Sequence, residues 1–303
     1  MDIIIVNWNS GEQLRHCIES LHSSVVEHII VVDNASSDGS AQISSTFPNV
    51  ILIQSPDNLG FGKACNLGAS YAKSNYFLFL NPDAAVYENT LEKSLQFMQE
   101  PANSGVGICG VQLEDEMGHV ARSCSRFPTA LSIFAHSSGL TNIFPYLGSR
   151  MLEWSHDKTL VVNQVIGAFF LVRKEIFEQL GGFDERFFVY FEEVDFSYRA
   201  KKAGWNSVYL ADAQAFHAGG GTSNQVKARR LFYSLRSRLL YSMKHFSLLK
   251  VIIVFVSTLL VEPLSRSVLS LFRLSWVELK ETWQAYALLW RWLPQWLFKG
   301  ITR

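Results

Sequence analysis

An alternation in the first hundred residues constrains this chain more than any other feature. Short runs of β-branched and aliphatic residues at 3–6, 29–32, 50–53 and 76–80 are separated by helical patterns over about 11–22, 39–46, 61–73 and 88–99. A run that is apolar at every position suits a strand buried on both faces. The helix between two such strands supplies the crossover that sets them parallel. The pattern predicts a doubly wound α/β sheet. Such sheets bind ligands beyond the carboxyl ends of their strands. Here those places hold "NWNSG" (7–11), "DNASSDGS" (33–40), "SPDNLGFG" (55–62) and "NPDA" (81–84). One segment of that kind is ordinary turn chemistry. Four at one sheet edge make a candidate site.

The chain has 303 residues, 48% hydrophobic and 18% charged, a globular balance able to bury a sizeable core. Zero formal net charge hides an asymmetry. Residues 1–226 carry 14 Lys/Arg against 24 Asp/Glu, whereas residues 227–303 carry 13 against 3. The body is acidic and the tail basic. Cys17, Cys65, Cys109 and Cys124 have neither the C-x-x-C spacing nor the partners of a metal site, and are expected as reduced, buried thiols. The opening "MDIIIVNWNS" lacks the basic segment and apolar length of a signal peptide and reads as a first strand, so the body is expected in the cytoplasm.

From about residue 105 the period loosens. Pro and Ser punctuate 122–150, which reads as a long connection. Regularity returns over 161–205, with a strand near 165–172, a helix near 173–180 ended by Gly181-Gly182, and a helix over about 192–203 stopping at Gly204. From about 225 the chain turns helical, basic and aromatic. Its apolar run covers only 251–261, cut by Lys250, Glu262 and Pro263. That is short of the roughly 20 residues a spanning helix needs. Trp276, Trp283 and Trp290 recur every seven residues, with Trp292 and Trp296 close behind. A tryptophan stripe beside Lys and Arg favours a membrane surface over a packing or dimer seam. No nucleic-acid motif accompanies the basic tail, which argues against a nucleic-acid partner. The expected division is 1–224 and 225–303.

Several residues carry chemistry of more than one kind. Asp33, directly after "IIVV", could accept a hydrogen bond from a nucleobase N–H or simply cap a turn. Gly60-x-Gly62 invites a dinucleotide reading, but Cys65 stands at the third glycine position and the segment follows the third strand. A glycine turn opening a helix can still hold a phosphate or ribose. In Asn81-Pro82-Asp83, Asp83 can ligate a hard divalent cation and Asn81 can offer only an amide oxygen; the alternative is an Asx turn. Glu192, Glu193 and Asp195 either complement a helix dipole or include a base for an attacking hydroxyl. His217 is followed by Gly219-Gly220-Gly221. It is either structural or part of a phosphate-closing loop.

Taken in order, "IIIVNWNSG", "VVDNASSDGS", "NLGFGKACNLG", "FLFLNPDA", "GAFFLVRKEIFEQLGGFDERFFVYFEEVDFSYRAKKAGW" and "FHAGGGTS" resemble the inverting glycosyltransferases of family 2, with a GT-A fold, over roughly 2–222. They look closest to bacterial rhamnosyltransferases of surface-polysaccharide (O-antigen or capsule) synthesis. The resemblance implies a Rossmann-like, mostly parallel sheet flanked by helices, with the C-terminal helical region associating with membrane. It implies that Asp33 binds the base of a nucleotide-sugar, with Asn7 and Asn9 nearby, and that Asn58 and Gly60 line the nucleotide. Asp83, with Asn81 two residues before it, stands where the family has D-x-D and becomes the main ligand to Mg²⁺ or Mn²⁺, with His217 the second. Glu193 becomes the general base, with Glu192 and Asp195 as alternatives. The donor implied is dTDP-L-rhamnose, with UDP-sugars open, and the acceptor is a polyprenyl-diphosphate-linked saccharide. The implied place is the cytoplasmic face of the bacterial inner membrane, held peripherally, with a homo-oligomer possible. Two departures, Asn81 for the first Asp of D-x-D and Glu193 for the commoner Asp, also fit a non-catalytic nucleotide- or sugar-binding assembly protein. "NWNSGEQL" has no Lys or Arg before Arg15, which argues against a nucleotidyltransferase.

Overall fold

The computed structural model describes residues 1–219 and 227–302. Of the glycine run after His217, only Gly219 is described; Gly220, Gly221 and the expected boundary at 224/225 lie outside the described residues. The chain forms two compact units. The first comprises 1–126, 153–185 and 192–222; the second comprises 127–152, 186–191 and 223–303.

In the first unit the four apolar runs are strands: β1 (Asp2–Asn7), β2 (His28–Asp33), β3 (Val50–Gln54) and β4 (Tyr76–Leu80). Between and after them lie α1 (Glu12–Glu19), α2 (Ser40–Ser44), α3 (Phe61–Ala69), β5 (Ala84–Val86) and α4 (Thr90–Gln99). Further along come β6 (Val106–Glu114), β7 (Cys124–Ser125), β8 (Leu160–Val162), β9 (Gln164–Val165), β10 (Phe169–Arg173), α6 (Lys174–Gln179), α7 (Glu192–Lys202) and β11 (Asn206–His217), with α5 reserved for a helix of the second unit. The main sheet runs β3-β2-β1-β4-β10-β6-β11-β5, with β8 on β11. β3, β2, β1 and β4 are mutually parallel, as are β6 and β11. β10 is antiparallel to both its neighbours and β5 is antiparallel to β11. The sheet is therefore mixed but mostly parallel.

Burial explains the continuous apolar strands. Ile3, Ile5, Val31, Leu78 and Leu171 are all fully buried. Helix α3 lies so close to the sheet that a Cβ at Gly68 would come within 2.5 Å of Ile4 Cγ2, so only glycine fits there. Buried Asp2 opens β1 and is satisfied by the Lys73 and Ser74 amides, the Ser74 hydroxyl and His28. All four cysteines are buried thiols.

The second unit holds α5 (Ala130–Ser137), α8 (Lys227–His245), α9 (Leu248–Val256), α10 (Glu262–Phe272) and α11 (Trp276–Lys299). Two sequence expectations change here. The stretch 122–150 is not a plain connection: Thr129 caps α5 through a reciprocal pair with Ser132, and two 3₁₀ turns follow, Leu140–Asn142 and Pro145–Leu147. Its eight-residue helix is too short for a period to stand out among Pro and Ser. Nor is the tail's apolar run cut at Glu262-Pro263. A π-helical turn, Ser257–Val261, joins α9 to α10, giving one continuous helix over Leu248–Phe272. A π turn shifts the hydrogen-bond ladder and so accommodates the N–H that proline lacks. Glu262 is tolerated because Arg238 and Arg266 both pair with its carboxylate. By length and composition this helix could cross a membrane, and 33% of its most apolar window is buried inside the protein. Trp276, Trp283 and Trp290 of α11 are exposed, with the last two ring centroids 5.9 Å apart, whereas Trp292 is buried and stacks on Trp296.

Candidate active site

Every candidate nucleotide-binding residue sits where the topology predicts, at the carboxyl ends of β1, β2 and β4 or in the turn after β3. Strand register pairs Asn7 with Asp33, and Ile5 with Leu80, which sets Asn81 one step beyond the same edge. Asn7 is fully buried and its Nδ2 donates to Asp33 Oδ1 at 2.8 Å and to the hydroxyls of Ser36 and Ser40. Its Oδ1 has no partner among the described residues. Asp33 Oδ2 accepts the Ser36 amide at 3.2 Å, so the carboxylate turns its own loop as well as holding Asn7. The capping reading accounts for one oxygen, and the other holds Asn7 in place. Asn9, in a left-handed conformation (φ 52°) that Asn tolerates, accepts the Ser37 amide at 2.7 Å.

One residue escaped the sequence reading. Asn34, buried beside Asp33, donates from Nδ2 to Asn58 Oδ1 (3.0 Å) and to the Gly60 carbonyl (3.2 Å), and accepts the Leu59 amide (2.7 Å). It ties the second strand end to the glycine turn. Gly60 stands at φ 75°, the conformation that starts α3 here and that a side chain would strain. The only sequence signal for Asn34 is its adjacency to Asp33.

The Asn-Pro-Asp segment meets its partner through the far edge of the sheet. After β4 the chain turns directly into β5, which adds antiparallel to β11 with His217 opposite Ala84. The Ala218 amide donates to the Asp83 carbonyl at 3.1 Å. This register brings Asp83 Oδ1 to 3.4 Å from His217 Nε2, with both side chains nearly buried. A carboxylate and an imidazole this close, both nearly buried, form a donor set that a shared hard divalent cation would suit. No cluster of three or more His, Cys, Asp or Glu occurs among the described residues. A cation here would have two such protein ligands.

The three acidic residues of α7 have separate fates. Asp195 is fully buried and takes Arg199 Nε at 2.7 Å, while Arg199 also donates to the carbonyls of Leu180 and Gly182. Glu192 is buried, its Cβ 3.4 Å from where a Cβ on Gly62 would stand. Glu193 is partly exposed, and its buried Oε2 has no partner among the described residues. Burial holds the Glu193 carboxyl above its ordinary range, against two backbone amides that pull it down. Its Cγ lies 4.0 Å from where a Cβ on Gly167 would stand, and the next residue, Ala168, accepts the Asn81 amide at 3.0 Å. Directly before α7, Tyr190 and Phe191 both take positive φ (69° and 73°), a strained pair for aromatic residues.

The sequence profile of the family described as glycosyl transferase family 2 matches residues 2–181. An N-acetylglucosaminyl-diphospho-decaprenol L-rhamnosyltransferase of Mycobacterium tuberculosis is 28% identical over 72% of this chain and 75% of its own length. The O-antigen chain rhamnosyltransferase WbaN of Salmonella anatum is 29% identical over 74% of this chain and 67% of its own. Rhamnosyltransferase WbbL of Escherichia coli is 25% identical, over 79% and 91%. Among solved structures, a Pyrobaculum calidifontis mannosyltransferase in complex with GDP-Man and Mn²⁺ superposes with a TM-score of 0.55 at 16% identity, covering 99% of this chain and 81% of that one. S. aureus TarS 1–349 in complex with UDP-GlcNAc gives 0.52 at 16%, over 90% and 71%. These likenesses are of fold. With a mostly parallel α/β sheet of GT-A type and the family profile spanning more than half its length, the chain belongs to glycosyl transferase family 2 and is a glycosyltransferase.

Proposed function

We propose that this enzyme transfers L-rhamnose from dTDP-L-rhamnose to a hydroxyl of a polyprenyl-diphosphate-linked saccharide, with inversion at the anomeric carbon, in cell-surface polysaccharide synthesis. The observation that carries the catalytic reading is the Asp83–His217 pair at the edge where a donor diphosphate would lie. The rhamnosyltransferase relatives support the sugar and the lipid-linked acceptor. Asp33 receives the base N–H through the lone pairs that its loop leaves open. Asn7 presents its unpartnered Oδ1 beside it, and Asn34, Asn58 and Gly60 hold the glycine turn against the nucleotide. Asp83 and His217 would hold Mg²⁺ or Mn²⁺, which would supply positive charge to the departing diphosphate.

Glu193 takes the proton from the acceptor hydroxyl as that oxygen bonds to the anomeric carbon. The bond from that carbon to the diphosphate oxygen breaks on the opposite face. A carboxyl held above its ordinary range by burial is a stronger base than a solvated one, which suits this role. The tail holds the enzyme peripherally at the cytoplasmic face of the inner membrane. Exposed Leu248, Leu249, Ile252 and Val256 would meet lipid, while Glu262 and its arginines, paired mid-helix, suit a surface more than a bilayer centre. The test is a transfer assay with dTDP-L-rhamnose, UDP-glucose, UDP-N-acetylglucosamine and UDP-galactofuranose on a prenyl-diphosphate-linked N-acetylglucosamine. Turnover with dTDP-L-rhamnose to an inverted product is expected. Turnover with a UDP-sugar alone would replace the donor, and a retained configuration would remove Glu193 from the base role.

A further inference from the structure

A groove of about 690 Å³ opens in the second unit, between α5 with its following turn and one face of the π segment and α10. Leu260, Leu264, Val268, Leu269 and Phe272 form its apolar wall, and most of them are more than half exposed. Its polar lining includes His136, Glu262 and Arg266. Arg266 gives both Nε and Nη2 to Glu262 Oε1, at 2.8 Å each, and its Nη1 meets no acceptor among the described residues. The other Glu262 oxygen is taken by Arg238. One carboxylate therefore faces two guanidinium groups, an excess of one positive charge.

The same field acts on His136, whose pKa is lowered. Burial lowers it first, then Arg238, with Arg266 and Arg150 adding to the effect and only Glu262 opposing. A long apolar wall beside a cation with donors to spare matches neither a neutral lipid nor a bare anion. The first would leave Arg266 unmatched and the second would leave the wall wet. The volume is that of a small-molecule site.

We propose that this groove binds the first prenyl units of a polyprenyl-diphosphate-linked acceptor, with Arg266 donating to a phosphate oxygen. The proposal rests on the acceptor class argued above and adds where its lipid portion is held. Farnesyl diphosphate serves as the soluble probe, titrated calorimetrically into the full-length protein beside inorganic diphosphate and a short-chain phosphatidylglycerol. Saturable binding of farnesyl diphosphate is expected, weakened about tenfold or more by Leu269→Trp, which fills the groove from a partly exposed position, and by Arg266→Gln. Leu269→Trp should leave dTDP binding unchanged. Equal binding of inorganic diphosphate would reduce the groove to an anion site, and equal binding of phosphatidylglycerol would make it a bilayer-lipid site; either overturns the proposal. So would farnesyl diphosphate binding that Leu269→Trp leaves intact. Rhamnosyl transfer to a lipid-linked acceptor with no farnesyl diphosphate binding would overturn the groove alone. Groove binding sensitive to Leu269→Trp, in a protein that transfers no sugar, would sustain it while the donor reading fails.

Discussion

Glu193, Glu192 and Asp195 open one helix within four residues, yet their surroundings assign them different work. Asp195 is buried against Arg199, whose guanidinium also ties down two carbonyls, so Asp195→Ala should destabilise the fold by about 3–5 kcal/mol. Chemical denaturation measures that loss. Glu193 is the expensive one when ionised. Its folded pKa is raised, so stability is greatest with the carboxyl protonated and is lost as pH rises through that value. Glu193→Gln should therefore raise the melting temperature at neutral pH, and the gain should vanish as pH falls into the carboxylate range. The same change should cut kcat by ~10²–10⁴-fold while leaving dTDP affinity unaltered. In the wild type, kcat/KM should fall on the acid side at a pH above that of an ordinary glutamate. Spacing placed three acids at a helix start without ranking them, and only the family resemblance put Glu193 first. Burial and partners, which spacing does not carry, separate them.

At the scale of elements, the parallel strands were legible because full burial writes itself as an unbroken apolar run, and because each run ended in turn residues. The pairing of Asp83 with His217 was not legible from spacing. They lie far apart in sequence, and only the antiparallel addition of β5 to β11 joins them; resemblance to a family suggested the pair and the register supplies its reason. Helix α5 was missed because a capping box, Thr129 with Ser132, looks in sequence like loop punctuation. Thr129→Ala should cost about 1 kcal/mol, read from denaturant midpoints. His156 marks another hidden element. It is buried at φ 61°, stacks on Trp154, takes the Cys124 amide on Nε2 and meets the Trp154 carbonyl through Nδ1. Burial lowers its pKa. The neutral ring therefore contributes stability that is present above the unfolded value of about 6.5 and lost as pH falls below it. Thermal melts between pH 8 and 5 should decline more steeply for the wild type than for His156→Gln, which should start lower.

For the whole molecule, the charge asymmetry was plain in the composition, but the tail's continuity was not. Pro263 and Glu262 signal a break in any sequence reading. The π turn and the two arginines that remove the break come from residues before and after it in three dimensions. The exposed tryptophans of α11 and the apolar face of α9 should bind anionic vesicles, with sedimentation falling as salt rises past the range where screening is strong. A chain ending after about residue 225 should stay in the supernatant; if it pellets equally, the tail is not the attachment.

The most direct measurement of the central claim is calorimetric titration of the full-length protein with dTDP, with and without Mn²⁺, for the wild type, Asp83→Ala and His217→Ala. The account predicts tighter binding with metal in the wild type and loss of that difference in both variants, with residual metal-free binding through the Asp33 pocket retained. Metal-enhanced binding that survives both substitutions would place the cation elsewhere and contradict it.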